Sequence, residues 1–189
     1  MILSTILSGF GGQGLLFAGQ VLAQAALDEG NEVTWLPSYG PEMRGGAASC
    51  TVIVSDRPIG SPIADAADVL IALNPPSLAR HQALVAPGGL IVLNSTLVET
   101  VARADVEVVR VPCSALARDA GDDRAVSIVA LGAGIARRPV VAPDSIRGAL
   151  RKLAAKAGPE TVERNLRAFD AGFAGALEAA PPELAGATA

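Results

Sequence analysis

Cysteine and histidine are scarce in this 189-residue sequence, which has two cysteines and one histidine. Cys50 and Cys113 lie far apart and form no Cys-x-x-Cys pair, so the chain alone cannot supply a four-thiolate iron–sulfur cluster or a structural zinc site. His81 has no second histidine or cysteine as a partner and is expected to be a solvated helix residue. Isolated cysteines are typical of a reducing compartment, which predicts a cytoplasmic protein whose thiols are small buried apolar groups.

Basic clusters and long apolar runs are also missing. Fifteen Lys and Arg against 19 Asp and Glu give a net charge of −4, so neither nucleic acid nor an anionic membrane surface is an expected partner. No apolar run approaches the roughly 20 residues that span a bilayer, and residues 1–8 lack the basic start of a signal peptide. Half of the residues are apolar and mean hydropathy is +0.40. The abundant alanine explains part of this value, and an extensive subunit interface is expected to explain the rest.

Common catalytic motifs are absent as well. The sequence contains no Gly-x-Ser-x-Gly, no Gly-Lys-Ser of a phosphate-binding loop and no His-Glu-x-x-His. No residue is therefore predicted to be catalytic, and an ordinary acid–base enzyme acting alone is not expected.

Short apolar runs alternate with helical patterns in the first part of the chain, and the second part is helical. The runs predict strands at residues 2–8, 32–36, 47–55, 69–73, 90–94 and 106–111. Helical spacing predicts helices at residues 13–29, 75–85, 126–137, 144–156 and 159–178, with Asp144 as the N-cap of the fourth. This order predicts a single three-layer αβα domain over residues 1–179, Rossmann-like, followed by a flexible tail at 180–189. Its sheet is expected to be mostly parallel but mixed, with strand 47–55 antiparallel.

A glycine-rich loop separates the first strand from the first helix. Residues 9–14 read Gly-Phe-Gly-Gly-Gln-Gly and satisfy Gly-x-Gly-x-x-Gly through Gly9, Gly11 and Gly14. Glycines permit a tight turn, and the free N–H groups of a helix N-terminus attract phosphate or carboxylate. The acid that binds ribose in classical dinucleotide domains is missing, because the second strand ends in the uncharged residues 35–38. The loop therefore favours another anion or a partner's backbone over NAD or FAD, with close helix–strand packing as the alternative.

A second glycine-rich segment, residues 37–46, is predicted to be a long loop at the same edge of the sheet. Arg44 is followed by two glycines, so its guanidinium is sterically open for bidentate recognition of an anion. The alternative is a rigid surface turn in which Arg44 pairs with Glu42. Two further strands end at this edge in Asn74 and in the pair at 94–95, which either bind a ligand or form turns. The candidate ligand-binding residues are Gly9, Gly11, Gly12, Gln13, Gly14, Tyr39, Arg44, Gly45, Gly46, Asn74, Asn94 and Ser95.

These motifs resemble the gamma subunit of 2-oxoacid:ferredoxin oxidoreductases, most closely the 2-oxoglutarate enzyme. The resemblance covers almost the whole chain in order and departs from the family at Ser127, where an Asn is usual. It is carried by Gly-Phe-Gly-Gly-Gln-Gly at 9–14, Ser-Tyr-Gly-Pro-Glu-Met-Arg-Gly-Gly at 38–46, Asn-Pro-Pro-Ser-Leu at 74–78, Pro-Gly-Gly at 87–89 leading to Asn-Ser at 94–95, and residues 165–172.

The resemblance implies a complex that decarboxylates a 2-oxoacid oxidatively, joins the acyl group to CoA and passes two electrons to ferredoxin. It implies alpha and beta partner subunits that hold thiamine diphosphate with Mg, and iron–sulfur clusters in the beta or a small ferredoxin-like delta subunit. This chain would hold no cofactor alone and would be inactive in isolation. Its glycine loop and Arg44 would hold a CoA phosphate or an acidic side chain of another subunit.

The sequence is compatible with other functions. The same subunit could serve a pyruvate, 2-oxoisovalerate or indolepyruvate enzyme. A free-standing nucleotide-binding α/β oxidoreductase is the alternative from another class, and the absent ribose-binding acid argues against it. A pure scaffold, in which the glycine loop is only a packing device, is the third.

Overall fold

The computed structural model describes residues 1–40, 46–99, 101 and 103–179. Arg44, Gly45 and the predicted tail at 180–189 lie outside the described residues. Within the described ranges three 3₁₀ turns occur, at Gln82–Leu84, Asp123–Ala125 and Ala155–Ala157. The strands and α-helices described are β1 (Ile2–Phe10), α1 (Leu15–Asp28), β2 (Glu32–Tyr39), β3 (Ala47–Ser55), β4 (Ala67–Ala72), α2 (Pro75–His81), β5 (Val85–Asn94), β6 (Glu107–Val111), α3 (Cys113–Asp119), α4 (Val126–Arg137), α5 (Pro143–Ala154) and α6 (Pro159–Glu178).

The strands form one mixed sheet in the order β2-β3-β1-β4-β5-β6. Strand β3 is antiparallel to both of its neighbours, and the other pairs are parallel. The sequence-based expectation of a mostly parallel sheet with an antiparallel strand at 47–55 is therefore confirmed. Because β1 and β2 each pair with β3 in antiparallel fashion, their carboxyl ends meet at one edge of the sheet.

Alternate side chains of the strands point to two different apolar layers. Leu7, Ile71 and Val92 face a large core that includes buried residues of α1, α4, α5 and α6. Ile6 and Leu70 face the opposite way into a smaller core that also contains Leu78 of α2. The domain is a three-layer α/β fold, as the alternation of strands and helices predicts.

The chain leaves β1 and β4 toward opposite faces of the sheet. Helix α1 follows β1 and packs in the large core, whereas α2 follows β4 and packs in the small one. The two strands are parallel neighbours, so a crevice opens where their carboxyl ends diverge. In open α/β sheets this topological switch point is the usual place of a ligand site.

The structure corrects several predicted boundaries. Strand β2 runs to Tyr39, so part of the predicted loop at 37–46 is strand, and Pro37 is tolerated because β2 is an edge strand. The predicted helix at 75–85 ends at His81, and β5 begins at Val85 rather than at 90. Helix α3 was not predicted. Asp144 lies in the first turn of α5 rather than at its N-cap, which is Ala142.

Helices α4 and α6 pack closely through two glycines. A Cβ on Gly172 would overlap the carbonyl group of Val129, and one on Gly132 would overlap the carbonyl oxygen of Phe169. Phe169 itself is fully buried. The two backbones therefore approach each other at a distance that only glycine allows.

Both thiols are expected to be unreactive in the folded chain. Cys50 and Cys113 are buried, and desolvation raises the pKa of each thiol to about 12. Since the thiolate is the reactive form, Ellman's reagent should label neither cysteine at pH 8 before unfolding and both after it. Rapid labelling of one native thiol would contradict this burial.

Candidate functional site

The glycine loop makes a tight turn that the side chain of Gln13 closes with a hydrogen bond. Gly12 and Gly14 have φ values of 98° and 74°, a left-handed region that favours glycine. Gln13 accepts a hydrogen bond from the Phe10 N–H at its Oε1, over 2.7 Å. A Cβ on Gly9 would overlap that oxygen, so a larger residue at position 9 would displace the Gln13 side chain from this hydrogen bond. Gln13 thus stabilises the loop, while its predicted role toward a ligand stays a prediction.

Helix α1 begins at this turn with its positive end open. Gly14 is the N-cap and accepts the Ala18 N–H, over 3.0 Å. Within the described residues no side chain caps this end, and the first turn carries no acidic residue. The first N–H groups of a helix have no partner inside the helix. Together with the helix dipole they favour an anion at this position.

The second glycine-rich segment meets the glycine loop, as its placement in the sequence predicts. Gly11 donates its N–H to the carbonyl of Gly46 over 2.9 Å, and Gly40 donates to the carbonyl of Ala47 over 2.8 Å. Tyr39 is 59% exposed at the end of β2. Arg44 and Gly45 lie outside the described residues, so their proposed contacts stay predictions.

A cleft of about 340 Å³ lies over the start of α1. Phe10, Gly11 and Gly12 line one part of it, and Tyr39 and Arg124 line another. Arg124 was missed by the sequence analysis. It lies in the 3₁₀ turn before α4, far along the chain from the glycine loop, and no local motif marks it.

The two asparagines predicted at this edge differ in their hydrogen bonds. Asn94 is fully buried, and its Nδ2 donates to Ser114 Oγ and to the carbonyl of Leu73. Its Oδ1 accepts the Ser114 N–H, and the neighbouring Ser95 donates its N–H to the carbonyl of Val111. Asn94 therefore ties β5 to α3, and Ser95 ties it to the end of β6, which favours the turn-forming alternative for both.

Asn74 lies at the switch point and is 1% exposed. Its Oδ1 accepts the Ser77 N–H over 3.0 Å and so caps α2. Its Nδ2 has no hydrogen-bond partner among the described residues. Buried polar groups are nearly always paired, so this amide favours a ligand or an ordered water near the crevice.

The one histidine of the sequence lies at the end of α2. His81 is partly buried, which lowers its pKa, and its Nδ1 lies 3.2 Å from the carbonyl oxygen of Ser77, so it is less solvated than expected. Across residues 1–40, 46–99, 101 and 103–179, no three His, Cys, Asp or Glu side chains form a group that could hold a metal ion. In the same residues, no helix has the length and apolar character needed to cross a membrane.

The model of one protein family, described as "Pyruvate ferredoxin/flavodoxin oxidoreductase", matches residues 4–175. The ketoisovalerate oxidoreductase subunit VorA of Methanothermobacter thermautotrophicus is 41% identical over 94% of this chain and 37% of its own length. The 2-oxoglutarate synthase subunit KorC of Methanocaldococcus jannaschii is 35% identical over 91% of this chain and 92% of its own. The chain thus spans little more than a third of VorA and nearly the whole of KorC.

Two solved structures share the fold. The gamma subunit of a keto/oxoacid ferredoxin oxidoreductase from Geobacter sulfurreducens is 34% identical with a TM-score of 0.80, over 93% of this chain and 98% of that one. A 2-oxoglutarate:ferredoxin oxidoreductase from Magnetococcus marinus, solved with 2-oxoglutarate, coenzyme A and succinyl-CoA bound, is 25% identical with a TM-score of 0.84. There the match covers 97% of this chain and 34% of that one.

Proposed function

Because this chain belongs to the pyruvate ferredoxin/flavodoxin oxidoreductase family, as a gamma-subunit domain of the 2-oxoacid:ferredoxin oxidoreductases, we propose that it works inside such a complex and borders its CoA site. The overall reaction converts a 2-oxoacid, CoA and two oxidised ferredoxins into an acyl-CoA, CO₂, two reduced ferredoxins and a proton. This chain binds and positions CoA, and the redox chemistry occurs on partner subunits.

The open N-terminus of α1 is the observation that carries this proposal. Gly12 and Gly14 line the cleft, and the N–H groups of the first turn of α1, which have no partner inside the helix, would attract an anion there. A CoA phosphate is such an anion. Tyr39 at the margin of the cleft offers an aromatic face to the organic part of the ligand.

The two cysteines of this chain do not fit an iron–sulfur cluster. Cys50 and Cys113 are buried in different elements, β3 and α3, and neither can join a four-thiolate cluster without partners. We therefore assign the iron–sulfur clusters to the beta or a ferredoxin-like subunit, and the family resemblance assigns thiamine diphosphate with its Mg to the alpha and beta subunits. The free thiols fit a reducing compartment, so a cytoplasmic location is part of the proposal.

Exposed apolar side chains at the same edge support a permanent partner. Phe10 is 37% exposed and Tyr39 59% exposed, and Leu36 on the edge strand is 45% exposed. A partner subunit seated at this end of the sheet would remove these apolar side chains from water. A subunit that packs here would enclose the cleft between itself and the glycine loop.

Two substrates are supported by different relatives. We propose 2-oxoglutarate first, because KorC matches along nearly its whole length. The 41% identity with VorA favours 2-oxoisovalerate as the second candidate. The 2-oxoacid itself would contact mainly the partner subunits.

Purification of the tagged chain from its native cell tests the proposal. We expect thiamine-binding and iron–sulfur subunits to co-elute, and CoA-dependent dye reduction to be fastest with 2-oxoglutarate among four 2-oxoacids: 2-oxoglutarate, 2-oxoisovalerate, pyruvate and indolepyruvate. If 2-oxoisovalerate is turned over fastest, it replaces 2-oxoglutarate as the proposed substrate, and the proposed complex stands. A chain that elutes alone and binds a nicotinamide cofactor would replace the proposal by a free-standing oxidoreductase.

A further inference from the structure

A second cleft of about 340 Å³ lies at the end of the sheet opposite to the glycine loop. Its walls are the start of β1, the end of β3 and the loop of residues 56–66 that joins β3 to β4. Four isoleucines make most of its apolar lining: Ile2, Ile53, Ile59 and Ile63. The proposed CoA site uses the other end of the sheet, so this cleft has no part in it.

Hydrogen bonds hold the loop 56–66 in place. Ser4 of β1 donates its hydroxyl to the carbonyl of Ala66 over 2.7 Å and its N–H to Asp68 Oδ2 over 2.8 Å. Within the loop, Ser61 accepts the Ile63 N–H at its Oγ over 3.1 Å. The loop also contains two prolines, whose φ angles are fixed. Little conformational entropy is therefore lost when a partner binds to this loop.

The loop presents an isoleucine to solvent beside an apolar recess. Ile63 is 71% exposed, and Ile2 across the cleft is 53% exposed, whereas Ile53 in the same cleft is 2% exposed. A single exposed apolar side chain is ordinary in a soluble protein, but here two of them border one cleft. The surface thus carries both an apolar projection and an apolar recess that could receive one.

The residues of the loop are arranged symmetrically about Ser61. Ile59 and Ile63 each lie two residues from Ser61, and Arg57 and Asp65 each lie four residues from it. Arg57 and Asp65 are exposed, and neither forms a salt bridge within the part of the chain that the structure describes. In a twofold interface, residue i of one copy contacts residue j of the other, and j contacts i. A twofold axis near Ser61 would therefore pair isoleucine with isoleucine and cation with anion.

We propose that this chain associates with a second copy of itself through the loop 56–66. Ile63 of each copy enters the isoleucine-lined cleft of the other, and Arg57 of each copy faces Asp65 of the other. The charge complementarity lies within one loop, which favours a second copy over an unlike subunit. Because this contact leaves the glycine loop free, the inference does not depend on the CoA site. In the proposed complex it would join two gamma subunits.

Sedimentation equilibrium of the full chain tests the self-association. A contact made mainly by one loop is small, so we expect a weak dimer that forms as the concentration of the 19.1 kDa chain rises. Ile63→Ser should raise the dissociation constant of the dimer about fivefold or more, because two isoleucine contacts are lost in each dimer. A chain that stays monomeric up to about 1 mM, or an equal dissociation constant in the wild type and Ile63→Ser, would overturn the proposal.

Leu177→Ser is the matched control for the loss of an exposed apolar side chain. Leu177 is 60% exposed in the last turn of α6, outside the proposed contact. Its replacement should leave the dissociation constant unchanged. If Leu177→Ser weakens the dimer as much as Ile63→Ser does, the association is not specific to the loop and the proposal fails.

Charge reversal tests the symmetric pairing. Arg57→Asp alone and Asp65→Arg alone should each raise the dissociation constant about tenfold or more, since like charges then face each other twice in the dimer. The double variant restores both pairs with exchanged signs and should return to within about threefold of the wild type. Both side chains are exposed, so circular dichroism should show the wild-type fold in each variant. A double variant that associates no better than the single variants would overturn the arrangement about Ser61.

Discussion

Replacing Gly172 by alanine is expected to destabilise the domain more than any other single methyl group added to a helix of this chain. The new Cβ would overlap the Val129 carbonyl group, so α4 and α6 must separate. Overpacking of a rigid core costs about 1–3 kcal/mol and sometimes more, and here backbone rather than a flexible side chain must move. We expect urea unfolding to show a loss of about 3 kcal/mol or more, and Gly132→Ala to behave similarly.

Gly148 provides the matched control for that substitution. It lies in α5, and no heavy atom lies within 4 Å of the position that a Cβ would take. Gly148→Ala should therefore stabilise the domain by about 0.5–1 kcal/mol through helix propensity alone. A loss of less than about 0.5 kcal/mol in Gly172→Ala would show that α4 and α6 are not in backbone contact.

The largest effect on function is expected from Gly12→Ala. A Cβ at Gly12 meets no heavy atom within 4 Å, so the methyl group points into open space at the cleft. The φ of 98° adds strain of about 1–2 kcal/mol, which a domain of ordinary stability survives. The complex should then assemble with its usual metal content, while the KM for CoA rises about tenfold because the methyl group occupies the path of the phosphate.

Gly30→Ala controls for backbone strain in that experiment. Gly30 has a φ of 84° and equally open surroundings, but it follows the opposite end of α1. The complex that contains Gly30→Ala should have the same KM for CoA as the wild type. If Gly12→Ala instead reduces assembly, and the fraction that assembles keeps a normal KM for CoA, the glycine loop is a packing device and the scaffold hypothesis replaces the site.

Local sequence patterns correctly predicted the features that are determined by residues close together in the sequence. Helices α4 and α6 occupy the predicted ranges because their apolar spacing is regular along their length. The glycine loop was placed correctly between β1 and α1, because the turn needs glycine at positions with left-handed backbone. The antiparallel strand β3 was also expected, and the connection between β2 and β3 is too short to hold the crossover that a parallel pair needs.

Features that depend on tertiary contacts were missed. The start of α5 is supported by Glu29, whose carboxylate accepts the Ala142 N–H over 2.7 Å, so Asp144 is not needed as a cap. Arg124 lines the same cleft as the glycine loop because α4 packs beside α1. No motif near Arg124 in the sequence indicates that contact. Asn94 reads as a ligand residue from its place at a strand end, yet Ser114 of the unpredicted α3 engages its amide.

Amide hydrogen exchange of the assembled complex, with and without saturating CoA, tests the central claim most directly. The claim is that CoA binds against the glycine loop and the first turn of α1. Peptides covering residues 9–17 should exchange at least fivefold more slowly with CoA bound, and peptides from the far end of α1 should not change. Protection confined to other subunits, with residues 9–17 unaffected, would contradict a CoA site on this chain.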